Sequence, residues 1–245
     1  GWKKFKKLVF VSHWQKQQYE NFLGVPPSAG VVLQNAVEPV EDHVKPDSNE
    51  CVNIIYHTTP HRGLELLVPI MQHIKTALPD INWHLDVYSD FKIYGEAWAA
   101  RNEPYQKCFD AIEADPNMTY HGHVPNEEVK EALKKAHIYA YPSIWPETSC
   151  ISLIEAMSAG CICVHPSLAA LPETSANWTF QYDFSEDMQD HASRHALTLM
   201  DAMQIVGDEN MQARLDMQKA YVDGFYSWDV RQQQWTVFLN NLLQQ

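Results

Sequence analysis

Two carboxylates, Glu147 and Glu155, stand eight positions apart in the stretch PETSCISLIEAMSAG. Ahead of them "HIYAYPS" reads as a strand and "IWPE" as the loop at its carboxyl end. Thr148 or Ser149 is expected to cap a helix whose apolar face includes Ile151, Ile154 and Met157, and Gly160 stands where helices commonly end. On this reading Glu147 lies in the loop before the helix, and Glu155 faces outward about two turns in. The backbone N–H groups of Ser149, Cys150 and Ile151 are then left to meet an anion. Carboxylates accept hydrogen bonds from hydroxyls. The order acid, N–H donors, acid matches a ligand with a hydroxylated ring, a diphosphate and a ribose. The spacing fits equally well one acid beside a helix start and one solvated helix acid, so it does not decide the matter alone.

Something must hold these groups in place, and the rest of the chain supplies an alternation. Short apolar runs occur at Leu8–Val11, Val31–Leu33, Val52–Tyr56, Trp83–Tyr88, Met118–Gly122, His137–Pro142 and Cys161–Pro166. Several are apolar at consecutive positions, as in parallel strands covered on both faces. Between them lie helical patterns. Leu64, Leu67, Ile70, Met71 and Ile74 recur at three-to-four spacing. "NEEVKEALKKA" has Asn126 as an expected N-cap, acids in its first turn, and Lys134 and Lys135 at its end, matching the helix dipole. Strand and helix in alternation predict an α/β fold with a Rossmann-like, doubly wound parallel sheet and a helical C-terminus from about Asp187. In such sheets ligands lie beyond the carboxyl ends of the strands.

Composition narrows the classes of function. The chain has 245 residues, 45% of them hydrophobic, enough for a proper core. Its net charge of −13 argues against general binding to nucleic acid or anionic membranes. Lys3, Lys4, Lys6 and Lys7 form one basic run, read as a solvated edge beside a strand. Five cysteines show no disulfide framework, and Cys161 and Cys163 sit in an apolar run as expected core thiols. These features point to a reducing, cytoplasmic setting. No signal peptide and no run fit to span a bilayer is evident.

The stretch "YPSIWPETSCISLIEAMSAGCICVHPSLAALPET" resembles the donor-site signature of retaining glycosyltransferases of the GT-B fold, family 4: a Glu, seven residues, a second Glu, then residues like "EAMAxG" and a strand. Other segments agree in order. "FVSHWQKQQY" resembles the last strand and helix of the family's first domain, and "VVLQNAVEP" its linker into the second. "TTPHRGLELLVPIMQHIKTALPDINWHLDVY" and "HGHVPNEEVKEALKKAHIYAYPS" resemble successive parts of the donor domain.

The resemblance implies transfer of a sugar from a nucleotide-diphosphate sugar to an acceptor, with retention of configuration. It implies roles as well. Glu155 would bind the ribose hydroxyls, and Glu147, the catalytic candidate, would hold a hydroxyl of the transferred sugar. The N–H groups of Thr148, Ser149 and Cys150 would meet the sugar and pyrophosphate. Arg62 stands before Gly63 where the family usually has Lys before Gly, and would neutralise the pyrophosphate with a bidentate fork. Val124, in the loop Gly122–Pro125, would border the nucleobase. A second phosphate-binding base is often found six residues before that Lys. Tyr56 stands there, followed by Thr58 and Thr59, whose hydroxyls are candidate substitutes.

By the same resemblance, residues 1–38 correspond to the end of an acceptor domain and a linker, 39–225 to the nucleotide-sugar domain, and 226–245 to a C-terminal helix packing back toward the N-terminal segment. The acceptor domain, in cis or in trans, would be the main partner. A binding module without independent catalysis and a nucleotide-sugar epimerase are the alternatives. The last helix puts Trp228, Trp235, Phe238 and Leu242 at helical spacing, a stripe expected in core or interdomain packing, with self-association as an outcome if it is exposed.

Other chemistry has less behind it. His57, His61, His121 and His123 flank two loops, but no third ligand stands at metal spacing, so no metal is expected. No glycine-rich dinucleotide or P-loop motif is present, and the only small molecule expected is the donor itself. Cys150 at a helix N-terminus, where thiol pKa values fall, is a candidate nucleophile without a paired base.

Overall fold

The chain opens with two short parallel strands, β1 (Leu8–Phe10) and β2 (Gly30–Val32), joined through α1 (His13–Leu23). Ser12 caps α1 by accepting from the Gln15 N–H, and Gly24 ends it in the left-handed region at φ 62°. The Glu173 carboxylate accepts from the His13 and Trp14 N–H groups at 2.8 and 2.9 Å, tying this unit to the remainder of the chain.

The remainder alternates as its apolar runs require. It comprises β3 (Val52–Tyr56), α2 (Leu64–Ala77), β4 (Trp83–Val87), α3 (Gln106–Glu113), β5 (Met118–Tyr120), α4 (Asn126–Lys135) and β6 (Ile138–Ala140). Then follow α5 (Ile151–Ser158), β7 (Ile162–Pro166), α6 (Leu171–Ser175), β8 (Phe180–Tyr182), α7 (Met188–Ile205), α8 (Glu209–Phe225) and α9 (Trp228–Leu243). In the computed structural model, which describes residues 1–41 and 45–244, strands β3 to β8 form a six-stranded sheet in the order β5-β4-β3-β6-β7-β8. Asp42, at the end of the expected linker, lies outside the described residues.

All five pairings in this sheet are parallel. The strand order reverses between β3 and β6, which makes a doubly wound, Rossmann-like sheet with its switch point there. All five residues of β7 are buried, which explains why its sequence is a run and not an alternation. The apolar stripe of α2 lies wholly in the core, and so do Leu153, Ile154, Ala156 and Met157 of α5. Each buried Leu, Ile or Met side chain among them contributes about 1.5–3 kcal/mol by leaving water. Cys161 and Cys163 are buried among them. Among the described residues no helix is long and apolar enough to cross a membrane.

Three local expectations are corrected, and one strand is added that the sequence did not announce. The α4 N-cap is Pro125, and Asn126 is already helical, because proline's fixed backbone makes the turn without a side-chain cap. Helix α5 starts at Ile151 after an extended Cys150, so neither Thr148 nor Ser149 caps it. Strand β8 had no apolar run to announce it, since Gln181 interrupts three residues at the sheet edge. Of the two places expected for the α9 stripe, the core is ruled out: Trp228 and Trp235 are exposed, and Arg231 is the helix's buried residue. The Arg231 guanidinium donates to the carbonyls of Asn35 at 3.2 Å and Phe225 at 2.6 Å. Val37 bridges Ser227 and donates to the Tyr226 carbonyl at 2.9 Å, so α9 lies against the segment after β2.

Candidate functional site

A cleft of about 640 Å³ opens at the switch point. Its walls are the loops at the carboxyl ends of β3, β4, β5 and β6, together with the start of α5. Glu147 and Glu155 both line it, with Thr148, Ser149, Ile151 and Ser152 between them. The first intrahelical bond of α5 runs from the Ile154 N–H to the Cys150 carbonyl at 3.2 Å, so the N–H groups before it have no partner within the helix.

At one end Glu147 is buried and heavily engaged. Its Oε1 accepts from Arg62 Nη1 at 2.5 Å and from the Tyr141 hydroxyl at 2.6 Å. Its carbonyl accepts from the Ala170 N–H at 3.0 Å, which fixes the loop against α6. Burial raises the Glu147 pKa, and Arg62 and Tyr141 pull it back. Burial also opposes the Arg62 charge, but Glu147 and then Tyr141 outweigh it and leave the guanidinium held above its ordinary pKa. Arg62 closes a short 3-10 turn, Pro60–Arg62, which Gly63 continues at φ 125°. A Cβ on Gly63 would lie 2.2 Å from the Pro142 carbonyl oxygen. Only glycine lets the Arg62 turn approach the Pro142–Glu147 loop this closely.

The other end is looser. Glu155 sits at the start of the second turn of α5, nearer the helix start than about two turns in, because the helix begins later than its capping residues suggested. Burial raises its pKa, against the pull of Lys130 and Asn126 across the cleft. Lys130 is itself bound to Glu38 at 2.7 Å. Gly122, His123, Val124 and Pro125, from the loop after β5, line the cleft with Tyr88.

The predicted residues Arg62, Thr58, Thr59, Val124, Thr148 and Ser149 line this cleft with the two acids. Gly63 and Cys150 do not. Cys150 is buried, and burial, then Glu147, pushes its thiol up to about 12, so the expected drop at a helix N-terminus does not occur and the nucleophile reading fails. Tyr56 is fully buried and its hydroxyl is spent on the Thr59 carbonyl at 3.0 Å, so it cannot stand in for a base. His121 pairs with Asp86 at 2.7 Å, outside the cleft, while His57 and His123 line it. Among the described residues no cluster of three or more His, Cys, Asp or Glu is arranged to hold a metal.

Sequence reasoning missed Tyr88, Asp90, Ile93 and Tyr94, which come from the loop after β4 and carry no motif. The buried polar atoms short of partners include His57 Nε2, Thr59 Oγ1, His61 Nδ1, Arg62 Nε and Ser89 Oγ, all within or beside the loops after β3 and β4. Folded chains rarely leave such atoms unmatched, and here they concentrate where a ligand would lie.

Comparison with known proteins follows the same geometry. The family model described as Glycosyl transferases group 1 matches residues 40–201. No curated protein matches the sequence. A glycosyltransferase from Rickettsia africae is similar at TM-score 0.75 and 16% identity, covering 97% of this chain and 64% of that one. HepE of Anabaena in complex with UDP-glucose is similar at TM-score 0.71 and 13% identity, covering 96% of this chain and 64% of that one. The pneumococcal O-GlcNAc transferase GtfA with UDP and GlcNAc gives TM-score 0.70 at 13% identity, over 99% of this chain and 46% of that one. At these identities the likeness is one of fold, and the chain spans about half to two thirds of their length. With residues 40–201 matched by the family model and the GT-B neighbours sharing the sheet, the chain belongs to the glycosyl transferases group 1 family.

Proposed function

We propose that the cleft binds a nucleotide-diphosphate sugar and that the protein transfers its sugar to an acceptor with retention of configuration, as in family 4. One observation carries the reading: two carboxylates eight positions apart flank the start of α5 over a single cleft, with Arg62 beside the first. Glu155 takes the ribose hydroxyls. Arg62, the Thr58 and Thr59 hydroxyls and the N–H groups of Thr148 and Ser149 take the diphosphate, and Val124 borders the base. Glu147 orients a hydroxyl of the sugar. In the reaction the bond from the anomeric carbon to the diphosphate oxygen breaks and its electrons leave with the phosphate. The acceptor oxygen bonds to that carbon on the same face, and its proton passes to the leaving phosphate. Arg62 and the α5 N-terminus stabilise the charge that develops there, which needs no metal.

The second wall of the cleft, for the acceptor, is assigned to a further domain in cis or in trans, and residues 1–38 and 226–245 to the side that meets it. The exposed apolar side chains of α9 support this, and without that domain they favour self-association. Five free thiols support a cytoplasmic setting. Thermal-shift titration with UDP-, GDP- and ADP-sugars tests the donor reading. A donor at 100 times its dissociation constant raises stability by about 2.7 kcal/mol. No shift with any of the three classes sinks it.

A further inference from the structure

Beyond Arg62 the floor of the cleft continues into a second groove of about 710 Å³ that the donor reading does not use. Arg62 and Tyr94 line both. The far side is built by the irregular stretch between β4 and α3, two 3-10 segments over Phe91–Tyr94 and Glu96–Tyr105. Asp90 holds that stretch in shape, accepting from the Lys92 N–H at 2.7 Å and from Asn102 Nδ2 at 2.6 Å.

The groove is aromatic. The His61 ring stacks on Phe91 at 5.2 Å and meets Trp145 edge-on at 4.8 Å. Tyr94 and Trp98 lie 5.5 Å apart, and the Arg101 guanidinium sits over the Trp98 ring at 4.2 Å. Tyr94, Trp98 and Trp145 remain 49%, 39% and 45% exposed. Large rings left in water together, with polar groups around them, mark a binding surface. Polar groups surround them. Glu103 and Arg101 line the groove, and His61 Nδ1 and Arg62 Nε are buried in its wall without partners. Burial, then Arg62 and Arg101, lowers the His61 pKa.

A pyranose ring has the complementary surface: an apolar C–H face for an aromatic ring, and an edge of hydroxyls for arginine, glutamate and imidazole. We propose that this groove is a carbohydrate-binding subsite, which holds the sugar of the acceptor against Tyr94, Trp98 and Trp145 next to the donor cleft. Arg62, Arg101 and Glu103 among the rings favour a sugar over an apolar peptide, and continuity through Arg62 and Tyr94 sets the groove beside the donor cleft. That the bound sugar is the acceptor rests on the proposed donor function; that a sugar binds does not. Part of the acceptor wall would then lie on this domain, not wholly on its partner.

Saturation-transfer NMR of the chain with chitotriose, maltotriose and cellotriose tests it, alongside calorimetric titration with UDP, GDP and ADP. At least one trisaccharide is expected to receive saturation. Its affinity should fall roughly tenfold or more in Trp98→Ala and recover in Trp98→Phe, with nucleotide affinity the same in all three proteins. Arg101→Ala, which leaves the rings in place, is expected to give a smaller loss and guards against a folding defect in Trp98→Ala. No transfer to any trisaccharide, or equal transfer in every variant, overturns the subsite and leaves the donor function standing. Self-association abolished by Trp98→Ala would also overturn it, since a second copy would then cover the groove. Trisaccharide binding without binding of any nucleotide would keep the subsite and remove the donor function.

Discussion

The two ends of the cleft hold the same functional group in opposite states. Glu147 is gripped by Arg62 and Tyr141 and anchored through its own carbonyl, while Glu155 faces Asn126 and a Lys130 already bound to Glu38. The Glu147 end therefore does two things: it joins the loops after β3 and β6, and it offers polar groups to a ligand. A ligand there must share or exchange partners that the fold already uses. The Glu155 end contributes little to the fold and has partners to gain. Mutations at the first end should register in stability and binding together, those at the second in binding alone.

Gly63→Ala is the harshest way to break this contrast. The new Cβ meets the Pro142 carbonyl at 2.2 Å in a backbone conformation that side chains disfavour, so denaturant unfolding should show a loss of about 4 kcal/mol or more. Arg62→Ala comes next. It strands the buried Glu147 carboxylate, and a loss of about 3 kcal/mol in stability is expected together with weaker nucleotide binding. Calorimetry and melting on one sample read both, and a change in binding with no change in melting would show that the ion pair is not structural. Glu155→Ala should weaken nucleotide diphosphate binding by about 1.5–3 kcal/mol and leave the melting midpoint where it was. Equal affinities would return Glu155 to a solvated helix acid. The smallest change in binding is expected from Glu147→Gln: nucleotide affinity nearly intact, the extra affinity of the nucleotide sugar reduced by about 1 kcal/mol, and the melting midpoint lowered because Arg62 loses its charged partner. Loss of plain nucleotide binding in that variant would mean that the roles of the two acids are wrongly divided.

What the sequence disclosed follows the same physical lines. Val52–Tyr56 and Ile162–Pro166 announce themselves because strands buried on both faces are apolar at consecutive positions, interrupted here only by Asn53 and His165. The α2 stripe is equally plain because its period matches the face that packs. Glu147 and Glu155 were legible as a pair because their separation brackets a helix start. The start itself was misplaced by one or two residues, because Thr148 and Ser149 have capping chemistry but Ser149 accepts from Asn35 Nδ2 at 3.0 Å instead of capping. Strand β8 was silent because three residues at an edge give too short a pattern. Tyr88, Asp90 and Tyr94 were silent for another reason: Phe91–Tyr105 has no helical or strand period, and its shape depends on Asp90 and Asn102, twelve positions apart. Loops held by single polar contacts leave no periodic trace.

The sheet order carries a consequence for how the protein assembles. Strands β3, β4 and β5 form one half and β6, β7 and β8 the other, and they meet through β3 and β6, where Ile54 pairs with Ile138, 84 positions later. Closing so long a loop has a high entropic cost, and contacts this distant in sequence slow folding. The cleft has one wall from each half: Arg62 follows β3, and Glu147 and Glu155 follow β6. Neither half alone contains a binding site. A ligand bridging both walls acts as a clasp across that seam, so it should slow unfolding as well as raise the midpoint, and its binding reports that the two halves have closed.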